Sequence, residues 1–276
     1  MQNYSVLMSV YYKEKAEYLE LAIKSMLNQT VPPEQFVIVE DGPLTDELEQ
    51  VVLKYEYEKP EIFTIVRLNE NGGLGRALDE GLKCCRNELV ARMDSDDISL
   101  PERCEKQLIA FSEFKYIDIV GTQINEFIES EKNIVSARVV PCDYDSIIRF
   151  SKKRSPFNHP TVMYKKSVVL NLGGYSIEYR RKEDLDLFLK MLVNGCKAIN
   201  LREALLLYRT SQENLKRRKT LNNCIEYVLV MHKYLKIGYI GIFDYVCVLV
   251  SQFLMFVLPN KLSGILSHIF LRKAPL

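Results

Sequence analysis

The chain has 276 residues, 47% of them hydrophobic, enough for one large domain or a domain plus an appendage, and this excludes a disordered chain. Its 37 basic and 36 acidic residues leave a formal charge of +1, without the basic excess of a general nucleic-acid binder. Seven irregularly spaced cysteines without a C-x-x-C pair point to reduced thiols in a cytosolic protein, and three histidines without an H-x-x-x-H pair argue against zinc.

The N-terminus, MQNYSVLMSVYY, has no basic segment followed by a long apolar one, so no signal peptide is expected. Residues 4–10 (YSVLMSV) read as a buried strand. Residues 16–29 follow as a helix, with Leu19, Ala22, Ile23, Met26 and Leu27 on one face. Strands at 35–41, 62–68 and 88–94 alternate with helices at about 46–57 and 73–85. Ser99 and Glu102 suit a capping box, with Pro101 in the first turn of a helix to about 114. Residues 116–128 read as a strand extended into a hairpin, and 130–160 as irregular and polar. A helix at 184–195 ends at Gly195, and 196–209 holds one or two strands. Strand-helix alternation with short links predicts βαβ units, and so an α/β fold with a mostly parallel sheet flanked by helices.

The last sixty residues differ. Lys216 to Lys219 are part of a basic run, and 237–258 is about 22 residues with Asp244 as its one charge. That length suffices to cross a bilayer, but Asp244, Ser251 and Gln252 weaken the spanning reading. After Pro259, residues 260–273 read as a short helix with an apolar face, flanked by Lys261, Arg272 and Lys273. An in-plane membrane anchor fits this pattern best; a packed helical appendage, a dimer surface and a true span are the alternatives. The expected division is therefore a domain at 1–215 and a basic, apolar helical tail at 216–276.

The chemistry centres on Met93–Asp97, MDSDD. Counted from Asp94 as a Ca2+ loop, position 5 is Ile98 and position 6 is Ser99, so the loop reading fails. A strand ending in D-x-D instead aims Asp94 and Asp96 at one target, and two carboxylates suit Mg2+ or Mn2+. The plain alternative is an acidic turn before a helix, with Asp97 as the structural member. Ligands of open parallel sheets bind beyond the carboxyl ends of the strands. Three more polar segments end strands there: one with Tyr11, Tyr12 and Glu14, one with Asp41, and one with Gly72, Gly73 and Gly75. Asp41 can bond a base edge or ribose, a tyrosine can stack on a base, and the glycines let backbone approach closely. Each of these also has an ordinary reading as a turn.

Together the segments SVYYKEKAEYLELAIKSMLNQT, VIVEDGP, NGGLGRALDEGL, ARMDSDDISLPERCEKQ, HPTVMYKKSVVLNLGGY and KEDLDLFLKML resemble family 2 glycosyltransferases of the GT-A fold, above all bacterial enzymes of capsule, exopolysaccharide and O-antigen assembly. The resemblance covers about residues 4 to 210. It implies a nucleotide-sugar donor, with Asp41 at the uracil or ribose and Tyr11 and Glu14 walling the nucleoside. Gly73 and Arg76 would lie near the donor, Asp94 near the ribose with Ser95 beside it, and Asp96 on a divalent metal, Mn2+ or Mg2+. Asp184 would be the catalytic base and Glu183 would shape the acceptor site. The helix dipole alone would also explain Glu183, Asp184 and Asp186 in a first turn, and Asp186 reads as structural. His159 stands either near acceptor or phosphates or in a structural turn before Pro160. The Q-x-x-R-W motif of processive members is absent, since the chain has no tryptophan, so single-sugar transfer is implied. Thr210, Ser211 and Gln212 follow Tyr208-Arg209, where many relatives place a histidine, which leaves a side chain completing the metal shell in doubt.

The resemblance further implies a glycan or polyprenyl-diphosphate-linked acceptor and a peripheral place on the cytoplasmic face of the membrane. UDP is the expected carrier, with GDP and dTDP open, and loops at 130–160 and 175–183 set the sugars. Three rival readings weigh less. A dinucleotide-binding oxidoreductase needs its glycine motif after the first strand, whereas GLGRAL follows the third. A nucleotidyltransferase would want glycines in VYYKEKAEY, and an inactive nucleotide-sugar-binding membrane scaffold is opposed by intact Asp41, Asp94, Asp96 and Asp184.

Overall fold

The computed structural model describes residues 2–210, 220–258 and 274–276. Its first half follows the expected alternation: β1 (Tyr4–Val10), α1 (Ala16–Leu27), β2 (Gln35–Glu40), α2 (Asp46–Glu58), β3 (Phe63–Arg67), α3 (Leu74–Cys84) and β4 (Leu89–Asp94). The strands lie in the order β3-β2-β1-β4, all parallel. Strand β1 is therefore flanked by β2 on one side and β4 on the other. The chain reverses its direction of travel there, which opens a crevice beyond the carboxyl ends of β1 and β4.

Strands β1 and β2 are buried along nearly their whole length because both sheet faces are covered. On one face Leu19, Ile23 and Met26 of α1 and Leu48 and Val52 of α2 pack against Val6, Met8 and Ile38. On the other, Ala77, Leu78 and Leu82 of α3 pack against Leu7, Val37 and Val39.

The second half continues with β5 (Ile98–Ser99), α4 (Arg103–Glu113), β6 (Ile117–Phe127), β7 (Ile134–Arg138), α5 (Tyr144–Ser151), a 3-10 turn at His159–Thr161, β8 (Met163–Lys165), α6 (Lys166–Asn171), α7 (Glu183–Val193) and β9 (Lys197–Arg209). Among the described residues nine strands form one sheet, which continues from β4 through β8, β6 and β9 to β5. Here β8 and β5 pair antiparallel, so the sheet is mixed, with its parallel part confined to the first half and to β6 beside β9.

Three expectations are corrected. The capping box does not form: Glu102 takes the N-cap position without a side-chain cap, and Ser99 is a strand residue paired with Leu206. Gln29 does the work instead, receiving the Cys104 amide at 3.0 Å and donating to the Ser99 hydroxyl at 3.1 Å. The irregular 130–160 stretch contains β7, which closes the expected hairpin on β6, and α5, capped by Asp143 accepting from the Ser146 amide at 2.9 Å.

The third concerns the tail, where 237–258 is not one helix. Helix α8 (Leu221–Lys236) ends at a turn with Gly238 at φ +77°, a conformation that favours glycine, and α9 (Ile242–Val257) follows. Sixteen residues of α9 span roughly 24 Å, short of a hydrocarbon core of about 30 Å, and no described helix is long and apolar enough to cross a membrane. The pair packs on α7, with Val230, Met231 and Tyr234 against Leu185 and Leu189. Asp244, which looked out of place in a span, pairs with Lys153 at 3.1 Å. The boundary at 215/216, the basic run Lys216–Lys219 and the helix expected at 260–273 with Lys261, Arg272 and Lys273 lie outside the described residues.

Candidate active site

Four segments meet in the crevice at the carboxyl ends of the parallel strands. The segment after β1 turns tightly, with the Glu14 amide donating to the Tyr11 carbonyl at 3.0 Å. This brings Glu14 across to the segment after β4, where it accepts from the Ser95 hydroxyl at 3.0 Å. The Tyr11 and Tyr12 rings stand edge to face, centroids 5.8 Å apart, with Tyr12 on the open side.

Asp41 follows β2 and is buried. Its two carboxylate oxygens accept the amides of Gly72 and Gly73 at 2.7 and 3.1 Å. Asp41 thus fixes the loop that opens α3, and Gly73 is that helix's N-cap residue. Arg76, one turn into α3, folds back over Gly72 and pairs with Glu70 at 3.2 Å. Gly75 permits a close approach from another part of the chain. A Cβ there would fall on the Ser176 carbonyl and 3.0 Å from Glu183 Cβ, so α3 and the start of α7 nearly touch.

Asp94, Asp96 and Asp97 have carboxylate oxygens within 4.8 Å of one another. Three anions this close, partly shielded from water, oppose one another's ionisation. Burial, then Asp94 and Glu14, push the Asp96 carboxyl up to about 7. Asp97 is fully buried and held well above the usual carboxylate range by burial and by its two neighbours. One Asp97 oxygen accepts the Arg209 amide at 2.8 Å, which ties β9 to the site; the other has no hydrogen-bond partner. Hard oxygen donors crowded in this way fit Mg2+ or Mn2+, and a cation would relieve their repulsion. Asp97, read as structural, thus both anchors β9 and belongs to the acidic cluster. Arg209 also donates from Nε to the Asp96 carbonyl at 2.8 Å and stacks over Tyr18, 3.8 Å from its ring centre. Thr210 follows β9; Ser211 and Gln212 lie outside the described residues.

Within reach of the same Arg92 charge as this cluster is the N-terminus of α7. Asp184 is half-buried and accepts the Leu185 amide at 2.7 Å. Glu183 beside it is buried, with one carboxylate oxygen unpartnered, and burial followed by Asp184 lifts its carboxyl to about 8. Asp186 points away and is fully buried, accepting from Lys233 at 2.7 Å and from the Tyr234 hydroxyl at 3.1 Å. It joins α7 to α8, in line with its structural reading.

His159 is directed inward. It lies 3.2 Å from the Tyr175 hydroxyl, which in turn lies 3.2 Å from that of Tyr164, and its ring meets Phe188 edge to face. Burial, with the Arg92 charge nearby, holds it well below the usual histidine range, so it is neutral. Its place in the 3-10 turn matches the structural alternative.

The side chain that sequence reading missed is Arg92. It alternates with Val90 and Asp94 on the face of β4 covered by α3 and α7, is 1% exposed, and pairs with Asp94. Its Nε and Nη1 have no hydrogen-bond partners. Its charge acts on Asp96, Asp97, His159, Tyr175 and Glu183, so it stands between the acidic cluster and α7. The one available signal was an arginine in the middle of an otherwise apolar strand.

Known proteins resemble this chain over most of its length. The family model described as Glycosyl transferase family 2 matches residues 5–173. An uncharacterized glycosyltransferase of Haemophilus influenzae is 38% identical over 98% of this chain and 100% of its own. An Escherichia coli protein named UDP-Gal:alpha-D-GlcNAc-diphosphoundecaprenol beta-1,3-galactosyltransferase is 35% identical over 95% of this chain and 94% of its own. Among solved structures, a mannosyltransferase from Pyrobaculum calidifontis in complex with GDP-Man and Mn2+ superposes with a TM-score of 0.66 over 97% of this chain and 75% of that one; at 16% identity the likeness concerns the fold alone.

Proposed function

The chain belongs to glycosyl transferase family 2 and has the GT-A fold, and on that premise we propose that it transfers one sugar, with inversion, from a nucleotide-sugar to a hydroxyl of a lipid-linked glycan acceptor. The observation that carries this reading is the Asp94–Asp96–Asp97 cluster linked through the Arg92 charge to Glu183 at the start of α7, beside the loop that Asp41 holds.

The nucleoside lies between Tyr11, Glu14 and Asp41, and the diphosphate lies toward Gly73 and Arg76, where the amino end of α3 favours negative charge. Asp94 and Ser95 stand beside the ribose. Asp96, with Asp94 and Asp97 close by, would hold a divalent cation, Mn2+ or Mg2+, which when bound neutralises charge growing on the leaving diphosphate. The acceptor oxygen forms a bond to the anomeric carbon as the bond to the diphosphate oxygen breaks, and its proton passes to Asp184. One displacement inverts the centre. Glu183, protonated at neutral pH, leaves the base role to Asp184, the more exposed of the pair, and can donate a hydrogen bond to the acceptor. The absence of tryptophan, and with it of the processive motif, accords with single transfer.

UDP is the proposed carrier, in line with the name of the Escherichia coli relative, whose acceptor is a GlcNAc-diphosphoundecaprenol. Such an acceptor lives at a membrane surface. The exposed apolar side chains of α9 suit peripheral, in-plane binding to the cytoplasmic face of that membrane. The direct test is a panel of UDP-, GDP- and dTDP-sugars with Mn2+, scored for binding and slow hydrolysis. Hydrolysis of one UDP-sugar that stops with EDTA and in Asp96→Ala is expected. If no nucleotide-sugar binds the unaltered protein, the reading is wrong.

A further inference from the structure

The groove between α8 and α9 has no part in the site described so far. Leu221, Ile225 and Leu229 of α8 face Leu249, Phe253 and Phe256 of α9 across a trough of about 250 Å³. These positions recur at helical spacing on both helices, and they form a separate face from Val230, Met231, Tyr234 and Val248, which pack inward. Ile225 is 45% exposed and Phe253 65% exposed, so the trough is open to solvent.

The end of the trough at Leu221 and Cys224 lies beside the segment that leads into α7. Where α8 starts, Arg181 donates its amide to Glu226 and its Nη1 to Thr220, both at 2.8 Å. The Lys182 ammonium lies 5.6 Å from the Tyr227 ring centre, and its charge reaches the thiol of Cys224, which lines the trough. The next two residues are Glu183 and Asp184. On the other side, the Arg180 stem lies 4.0 Å from where a Cβ of Gly73 would stand, so this basic strip borders the donor loop as well. From α8 toward the acidic cluster the surface therefore presents an apolar trough, then Arg180, Arg181 and Lys182, then the candidate base.

We infer that this trough binds the isoprenoid chain of the acceptor, with the diphosphate of that lipid over Arg180–Lys182 and the acceptor sugar at Asp184. The inference rests on the lipid-linked acceptor proposed above. A prenyl diphosphate sugar carries an apolar chain, a doubly charged linker and a hydroxylated ring in that order, and the surface offers their complements in the same order. The apolar chain gains by leaving water, and the diphosphate is matched by fixed positive charge.

The test titrates the full chain with farnesyl diphosphate and with inorganic diphosphate. The prenyl compound should bind at least about tenfold tighter, because part of its chain is buried. The double variant Ile225→Gln with Phe253→Gln should abolish that preference and leave the affinity for inorganic diphosphate as it was. Should the double variant fail to fold, each single variant should still shrink the preference, since both side chains are already open to solvent. Equal affinities in the unaltered chain overturn the inference, as does a preference that survives in the variants. A preference that emerges only after removal of residues 259–276 assigns the trough to the chain's own end. A variant that loses vesicle binding, or concentration-dependent dimers, while keeping the preference assigns it to a bilayer or a second copy. All of these results overturn the inference. Donor hydrolysis, measured in parallel, separates the two levels: if hydrolysis is present without a prenyl preference, only the trough falls; if no donor is used, the proposed function falls and takes the trough with it.

Discussion

Glu40 shows how a single side chain beside the site is set by its surroundings. It precedes Asp41, is 4% exposed, and lies 3.4 Å from Arg67 without forming a hydrogen bond to it. Burial lifts its carboxyl from 4.5 to about 7, against the pull of the Arg67 charge. The folded state therefore holds this proton more tightly than the unfolded one. Its contribution to stability is complete below pH 4.5 and is lost as pH rises through about 7. Glu40→Gln should remove that loss, flattening thermal stability between about pH 5 and 8 by an amount on the order of 1 kcal/mol. An unchanged pH profile in calorimetry would count against a raised Glu40. At this scale the sequence disclosed the carboxylates and little about their neighbours. Asp94, Asp96 and Asp184 stand out by type and spacing. Arg92 does not, because apart from Asp94, two residues on, the groups its charge reaches lie far along the chain, Glu183 of α7 among them.

Among the elements, the parallel strands were legible because both of their faces are apolar and their helices have plain periodicity. The elements misread are those whose partners are distant in the chain. Ser99 lies where a cap would be, but β9 claims it as a strand residue. Helix α8 received no reading from sequence; its contact with α7, where Asp186 accepts from Lys233 and Tyr234, joins segments far apart in the chain. Residues 237–258 look like one apolar run because a Gly238 turn leaves little trace in hydropathy. Helix α9 keeps a second apolar stripe, Phe243, Val246, Val250 and Val257, outside the trough. If that stripe lies on the membrane, Val246→Gln with Val250→Gln should weaken binding to anionic vesicles at least about tenfold. Both side chains are half-exposed, so the fold should be retained. Equal co-sedimentation of variant and unaltered protein would mean that another surface makes the contact.

For the whole molecule, the sheet brings segments from Tyr11 to Arg209 to one edge. It sets the groups proposed to hold the donor on the parallel half and the candidate base on the helix on which the tail packs. The central claim is that Asp184 takes the acceptor proton in a single displacement. The measurement is the anomeric configuration of the product by NMR, with turnover compared between the unaltered protein and Asp184→Asn at saturating donor. The account predicts an inverted product, and turnover lowered by about 10²–10⁴-fold in the variant with donor affinity preserved. A retained configuration, or an Asp184→Asn variant that turns over at the unaltered rate, would contradict it.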